Sequence, residues 1–185
     1  MQLLYTGAAE QGAEQVKSDL SLGGLVSKSQ VPNDSLSNLF STASLLSIQN
    51  KKRECKMIAL KNDDLTNASN LIFTFSIEND SICKYKIAFV SPKVSGNGVS
   101  IFESIINPYA IPFNATFLPI TNASSFNIAS LNANAYLGLW LVREYNYDAY
   151  DLRKKTKEDW ALELEASTSS PNTIERFNIN LDYTI

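Results

Sequence analysis

The sequence predicts an all-β protein, an antiparallel β-sandwich of about seven or eight strands in a jelly-roll-like arrangement, with an extended N-terminal arm. Apolar residues alternate with a period of two through most segments after residue 54, as they do along a strand with a buried face. Clusters of Asn, Asp, Ser, Gly and Pro break these segments at short intervals. No segment sustains the apolar stripe of a long helix. The boundary falls at Gly23-Gly24, so residues 1–22 are assigned to the arm and 23–185 to the sandwich.

Within the arm, the near-repeat Gly7-Ala-Ala-Glu-Gln and Gly12-Ala-Glu-Gln is small and polar. Val16 and Leu20 belong to one weak helical stripe, too short to be stable alone. Leu3, Leu4 and Tyr5 form an apolar tip with no neighbouring pattern to pack on. Together Leu3, Leu4, Tyr5, Val16 and Leu20 are the candidate partner-binding residues, docking on an adjacent subunit. After Gly23-Gly24, Leu25–Val31 alternates as a short edge-like strand, and Pro32-Asn33-Asp34-Ser35 is a turn. Leu36, Leu39 and Phe40 suit one helical turn plugging the core. The Lys51-Lys52-Arg53-Glu54 run reads as a solvated turn or strand start.

From Glu54 the two faces of the strand, Cys55, Met57, Ala59 and Lys56, Ile58, Leu60, are both largely apolar, which predicts cover on each side. Leu71, Phe73, Phe75 and Ile77 and then Cys83, Tyr85, Ile87 and Phe89 read as two strands of a hairpin, with Lys84 and Lys86 outside. Prolines 92, 108, 112 and 119 exclude a long central strand or helix from 91–130, yet that stretch is too apolar for a free linker. Short strands and ordered crossings are expected there. Asn134–Tyr145 is a strand buried on both faces. Trp160–Glu165 and Phe177–Tyr183 complete the set.

Composition narrows the chemistry. A formal charge of −3 and a pI near 5.0 provide no general attraction for nucleic acid or an anionic membrane, and neither is expected as a partner. No apolar run approaches the roughly 18 residues of a membrane-spanning helix. The first residues lack the basic and apolar regions of a secretory signal, which leads one to expect assembly in the cytoplasm of the producing cell. The two cysteines, Cys55 and Cys83, sit inside apolar strand patterns as small hydrophobes. There is no histidine, which removes the commonest general base and metal ligand. Neither a phosphate-binding glycine loop nor a nucleophile elbow is present. Asp63-Asp64 reads as a strand terminator. No catalytic residue, cofactor or metal is expected, and the protein is read as no enzyme.

One segment, Glu144–Asp151, combines tyrosines with carboxylates, groups suited to a sugar face or a calcium ion. Tyr145, Tyr147, Asp148, Tyr150 and Asp151 are therefore the candidate glycan or subunit contact. It lacks the spacing of a calcium-binding loop.

The order Ser21-Leu22-Gly23-Gly24, Ser27–Ser29, Pro32, Asn38-Leu39-Phe40, Met57–Asn62 and Asn70-Leu71 resembles virion structural proteins of tailed bacteriophages, the short-tailed, crAss-like group included. Tyr136-Leu-Gly-Leu-Trp-Leu-Val-Arg143 is similar to the penultimate strand block of that family. The likeness covers about half the chain and omits the proline-rich middle. It implies a non-enzymatic component of the virion, assembled in the host bacterial cytoplasm. Such a component forms a ring or symmetric cluster at the head–tail connector or tail, with copies of itself and portal, collar or tail proteins as partners. The alternative expectation is a carbohydrate-binding or capsid-decoration β-sandwich module, resting on the tyrosine-acid segment.

Overall fold

The computed structural model describes residues 1–32, 39–40, 53–78, 83–145 and 176–185. Eleven strands occur in these segments: β1 Gln2–Ala8, β2 Gly24–Gln30, β3 Arg53–Lys61, β4 Ala68–Glu78, β5 Cys83–Val90, β6 Lys93–Val94, β7 Ser100–Phe102, β8 Leu118–Ile120, β9 Ser125–Leu131, β10 Tyr136–Tyr145 and β11 Arg176–Thr184. Their one helical element is a 3₁₀ turn at Ser18–Leu20. All pairings are antiparallel. Eight strands form one sheet in the order β6-β7-β2-β1-β3-β10-β5-β8, and three form another in the order β11-β4-β9. The all-β antiparallel class follows the alternation. The division into eight and three differs from the eight strands in two Greek keys that define a jelly roll.

The space between the sheets holds the larger core. Ile58 and Leu60 of β3, Leu137, Leu139 and Leu141 of β10, and Tyr85 and Ile87 of β5 face Leu71, Phe73, Phe75 and Ile77 of β4. Rings of Phe73, Phe89, Phe126 and Phe75 meet at centroid separations of 5.0 to 5.8 Å in tilted or edge-on contacts, the favoured aromatic geometries. Leu39 is buried in this core and Phe40 packs against it, while residues 36–38 of the expected helical turn lie outside the described residues.

A second core occupies the other face of the large sheet. Leu4, Val26, Cys55, Met57, Ala59, Ala88, Trp140 and Val142 are buried there beneath Phe102, Ile105, Ile111 and Phe117. The reason is curvature. β7 and β10 stand four strands apart, about 19 Å in a flat sheet. A Cβ added at Gly138 of β10 would nevertheless meet Met57, Phe102 of β7 and Val90 of β5. The sheet therefore curls over itself, and Gly138 leaves room for the side chains that close the curl. This explains why β3 and β10 are apolar on both faces.

Four expectations are corrected. Gln2–Ala8 is no part of an arm: it is β1, paired with β2 on one side and β3 on the other, with Leu4 and Tyr5 buried. Its sequence lacks a clean alternation because each of its faces is covered by apolar groups from distant segments. β2 is likewise internal, between β1 and β7. β4 and β5 are no hairpin, since they belong to different sheets and meet face to face across the core. Each carries one strongly apolar face, and stacking those faces buries both, whereas edge pairing would leave a second layer to be supplied. Glu54, read as part of a solvated run, is buried. In 91–130 the short strands β6, β7, β8 and β9 alternate with ordered crossings, as the prolines require. The Trp160–Glu165 segment lies outside the described residues.

Candidate interaction surface

Residues 9–23 leave the sheet between β1 and β2 and return, and a polar network holds this excursion in place. The Thr6 N–H donates to Ser21 Oγ at 2.9 Å, the Gly23 N–H donates to Thr6 Oγ1 at 3.1 Å, and Gln15 Nε2 donates to the Thr6 carbonyl at 2.6 Å. Ser21 then substitutes for a strand: the Met57 N–H donates to the Ser21 carbonyl at 2.8 Å, and Ser21 Oγ donates to the Met57 carbonyl. One further position of β3 is capped similarly, the Cys55 N–H donating to the Pro108 carbonyl at 2.6 Å. Gly23 has φ +90°, and an added Cβ would strike the Glu103 carbonyl, so the Gly-Gly pair is a close crossing of two backbones. Beside it the Ile105 N–H donates to the Leu22 carbonyl at 3.0 Å.

That crossing ties down the segment from Glu103 to Phe117, which lies over the outer core. Its ordering is explicit. Glu103 accepts from the N–H groups of Phe113 at 2.7 Å and Asn114 at 3.2 Å, and Asn107 Oδ1 accepts from the Tyr109 N–H at 2.9 Å. Ile105, Ile111 and Phe117 point inward. Ile106 and Phe113 do the opposite, each 92% exposed, with Tyr109 about half exposed between them in sequence. Both are large apolar side chains left to water on a hydrogen-bonded segment.

The five arm residues separate. Leu4 and Tyr5 are buried and Leu3 packs against the inner core, so none of the three is available to a partner. Val16 and Leu20 are 69% and 52% exposed on the excursion. Of the tyrosine-acid segment, Tyr145 is buried in the inner core and presents no face to a sugar. Tyr147, Asp148, Tyr150 and Asp151 lie outside the described residues.

Four buried polar residues, Arg143, Glu54, Lys56 and Asn62, have partners that the sequence did not reveal. Arg143 and Glu54 sit opposite each other on β10 and β3, with Nη2 and Oε2 2.7 Å apart and both side chains about a tenth exposed. The guanidinium also lies 5.0 Å from the Phe40 ring centre and 5.3 Å from that of Tyr145. Burial by itself lowers the Arg143 pKa, but Tyr145, Glu54, Cys83 and Tyr85 together outweigh it and hold the group above its ordinary value. Lys56, buried in β3, reaches Asp19 on the 3₁₀ turn at 3.0 Å. Asn62 donates from Nδ2 to the carbonyls of Thr66, Leu131 and Asn132 at 2.9, 3.0 and 3.1 Å, joining the ends of three strands. The signal available for Arg143 and Lys56 was a polar residue inside an otherwise apolar strand block, while Glu54 stands at the charged start of β3 and Asn62 just past its end, and none of them hints at its partner.

The acidic pair next to Asn62 terminates β3 and works structurally. Asp63 Oδ1 stands 2.7 Å from the Met1 ammonium, whose hydrogen bond holds the carboxyl below the ordinary carboxylate range. The Asp64 N–H donates to Asn62 Oδ1 at 3.2 Å. Among the described residues no group of three or more His, Cys, Asp or Glu could hold a metal ion, and no helix is long and apolar enough to cross a membrane. No family model matches the chain, and neither a curated protein nor a solved structure matches it.

Proposed function

We propose that the protein is a non-enzymatic structural component of a bacteriophage virion, forming a ring or symmetric cluster at the head–tail connector or tail. The single structural observation that supports this reading is the pair Ile106 and Phe113, held outward by an ordered segment on a doubly packed sheet. A rigid scaffold presenting fixed apolar side chains suits repeated contact with identical neighbours, because little conformational entropy is lost on association. The resemblance to virion proteins supplies the setting. Partners on this reading are further copies of the chain and portal, collar or tail proteins.

Imaging of particles made with Ile106→Ser and Phe113→Ser tests it. Loss of density at the neck or tail, from a variant that folds with an unchanged thermal midpoint, is the expected result. Particles made without the protein that keep full density at neck, tail and vertices refute the virion role.

A further inference from the structure

The hairpin of β6 and β7 closes on Ser95-Gly-Asn-Gly-Val99. The Ser95 N–H donates to the Val99 carbonyl at 2.9 Å and the Val99 N–H to Ser95 Oγ at 3.2 Å, which fixes Gly96-Asn97-Gly98 as the loop between them. All three loop residues are exposed. Gly98 has φ +77°, and a Cβ added there would meet no heavy atom within 4 Å. Asn97-Gly98 is the one Asn-Gly pair in the sequence. An asparagine amide is thermally labile, and the backbone nitrogen that follows it is placed to close a ring on its side-chain carbonyl carbon, with the advantage of an intramolecular reaction. Glycine brings no side chain to obstruct that approach.

We propose that Asn97 is a modification site, deamidated spontaneously to aspartate and isoaspartate. The Gly98 nitrogen gives up its proton to solvent and bonds to Asn97 Cγ, and the side-chain nitrogen leaves as ammonia. Water then opens the succinimide. Breaking the new bond to Cγ gives aspartate, whereas breaking the bond from the main-chain carbonyl carbon to nitrogen leaves the chain running through Cγ as isoaspartate. Water is the only co-reactant. The fold gates the first step, because the Gly98 N–H donates to the Ser95 carbonyl at 2.9 Å and is engaged while the loop stays closed. β6 is two exposed residues at the end of the large sheet, a place where local opening costs little. Reaction proceeds from the opened hairpin. Either product puts a carboxylate at the tip of the loop, and isoaspartate also lengthens the backbone inside it. The inference is independent of the virion reading and uses neither Ile106 nor Phe113.

The experiment is incubation of the full chain at neutral pH, with peptide mapping of the amide-to-acid mass change and enzymatic methylation of isoaspartate as readouts. Conversion is expected at Asn97 ahead of every other asparagine, and several-fold slower in the folded protein than in the same chain unfolded in urea. Asn97→Gln, an exposed substitution that leaves both cores untouched, should lose the isoaspartate signal at this position, since its longer side chain must close a larger ring. Isoaspartate forming first at another asparagine, an intact Asn97 in the folded chain after the unfolded chain has converted, or equal rates in the two states each overturns the proposal.

Discussion

Arg143 shows how one residue organises a region that its neighbours in sequence do not reveal. It is a cation in the interior of a sheet, and it is tolerable there because Glu54 lies directly across the ladder and two aromatic rings flank the guanidinium. Removing one partner of such a pair leaves the other charge buried and unmatched, a loss of about 3–5 kcal/mol. Arg143→Ala should therefore lower the urea midpoint by a large step, with Glu54→Gln doing the same and the double substitution costing less than the sum of the singles. Additive single effects of under about 1 kcal/mol each would show that the pair behaves as an exposed one. Cys55 is the quiet counterpart: burial pushes its thiol up to about 12, so it stays protonated and acts as a small hydrophobe, as its apolar setting in the sequence suggests. It faces the outer core whereas Cys83 faces the inner one, and no disulfide joins them.

At the scale of elements, β10 carries the fold. It is paired along nearly its whole length to β3 and β5, and its two faces belong to different cores. Gly138→Ala is expected to destabilise by about 1–3 kcal/mol, as overpacking does, because the methyl would displace Met57, Phe102 and Val90 together. A thermal midpoint unchanged by this substitution would mean that the curled end yields freely. The double-sided burial of β3 and β10 was legible in the sequence, since both faces of each strand are apolar. The relation of β4 to β5 was not. Alternation places Phe73 and Tyr85 on buried faces but does not say whether the faces lie side by side or stacked, and only the second strand partners of each, β9 and β11 against β10 and β8, settle it.

For the whole molecule, the position of the first residues has the largest consequence. β1 lies inside the large sheet, and removing it would separate β2 from β3 and uncover Val26, Met57 and Ala59. Deleting residues 1–22 should abolish cooperative unfolding altogether, as measured by circular dichroism on heating. A truncated chain that unfolds cooperatively near the natural midpoint would restore the idea of a dispensable arm. On the excursion 9–23 the side chains of Val16 and Leu20 are exposed.

By itself the sequence determined the class, the antiparallel pattern and the strands that lie between two apolar layers, because period and polarity are local properties of strands. It marked Gly23-Gly24 as the place where an arm meets the domain, whereas in the fold Gly23 lies where the backbone at Glu103 crosses it. Tertiary structure alone decided that Leu3, Leu4 and Tyr5 belong to a central strand, that Glu54 and Arg143 meet, and that the large sheet curls until β7 reaches β10. These depend on pairings between residues far apart in the chain, and the alternation of a single strand carries no record of the partner that will complete it.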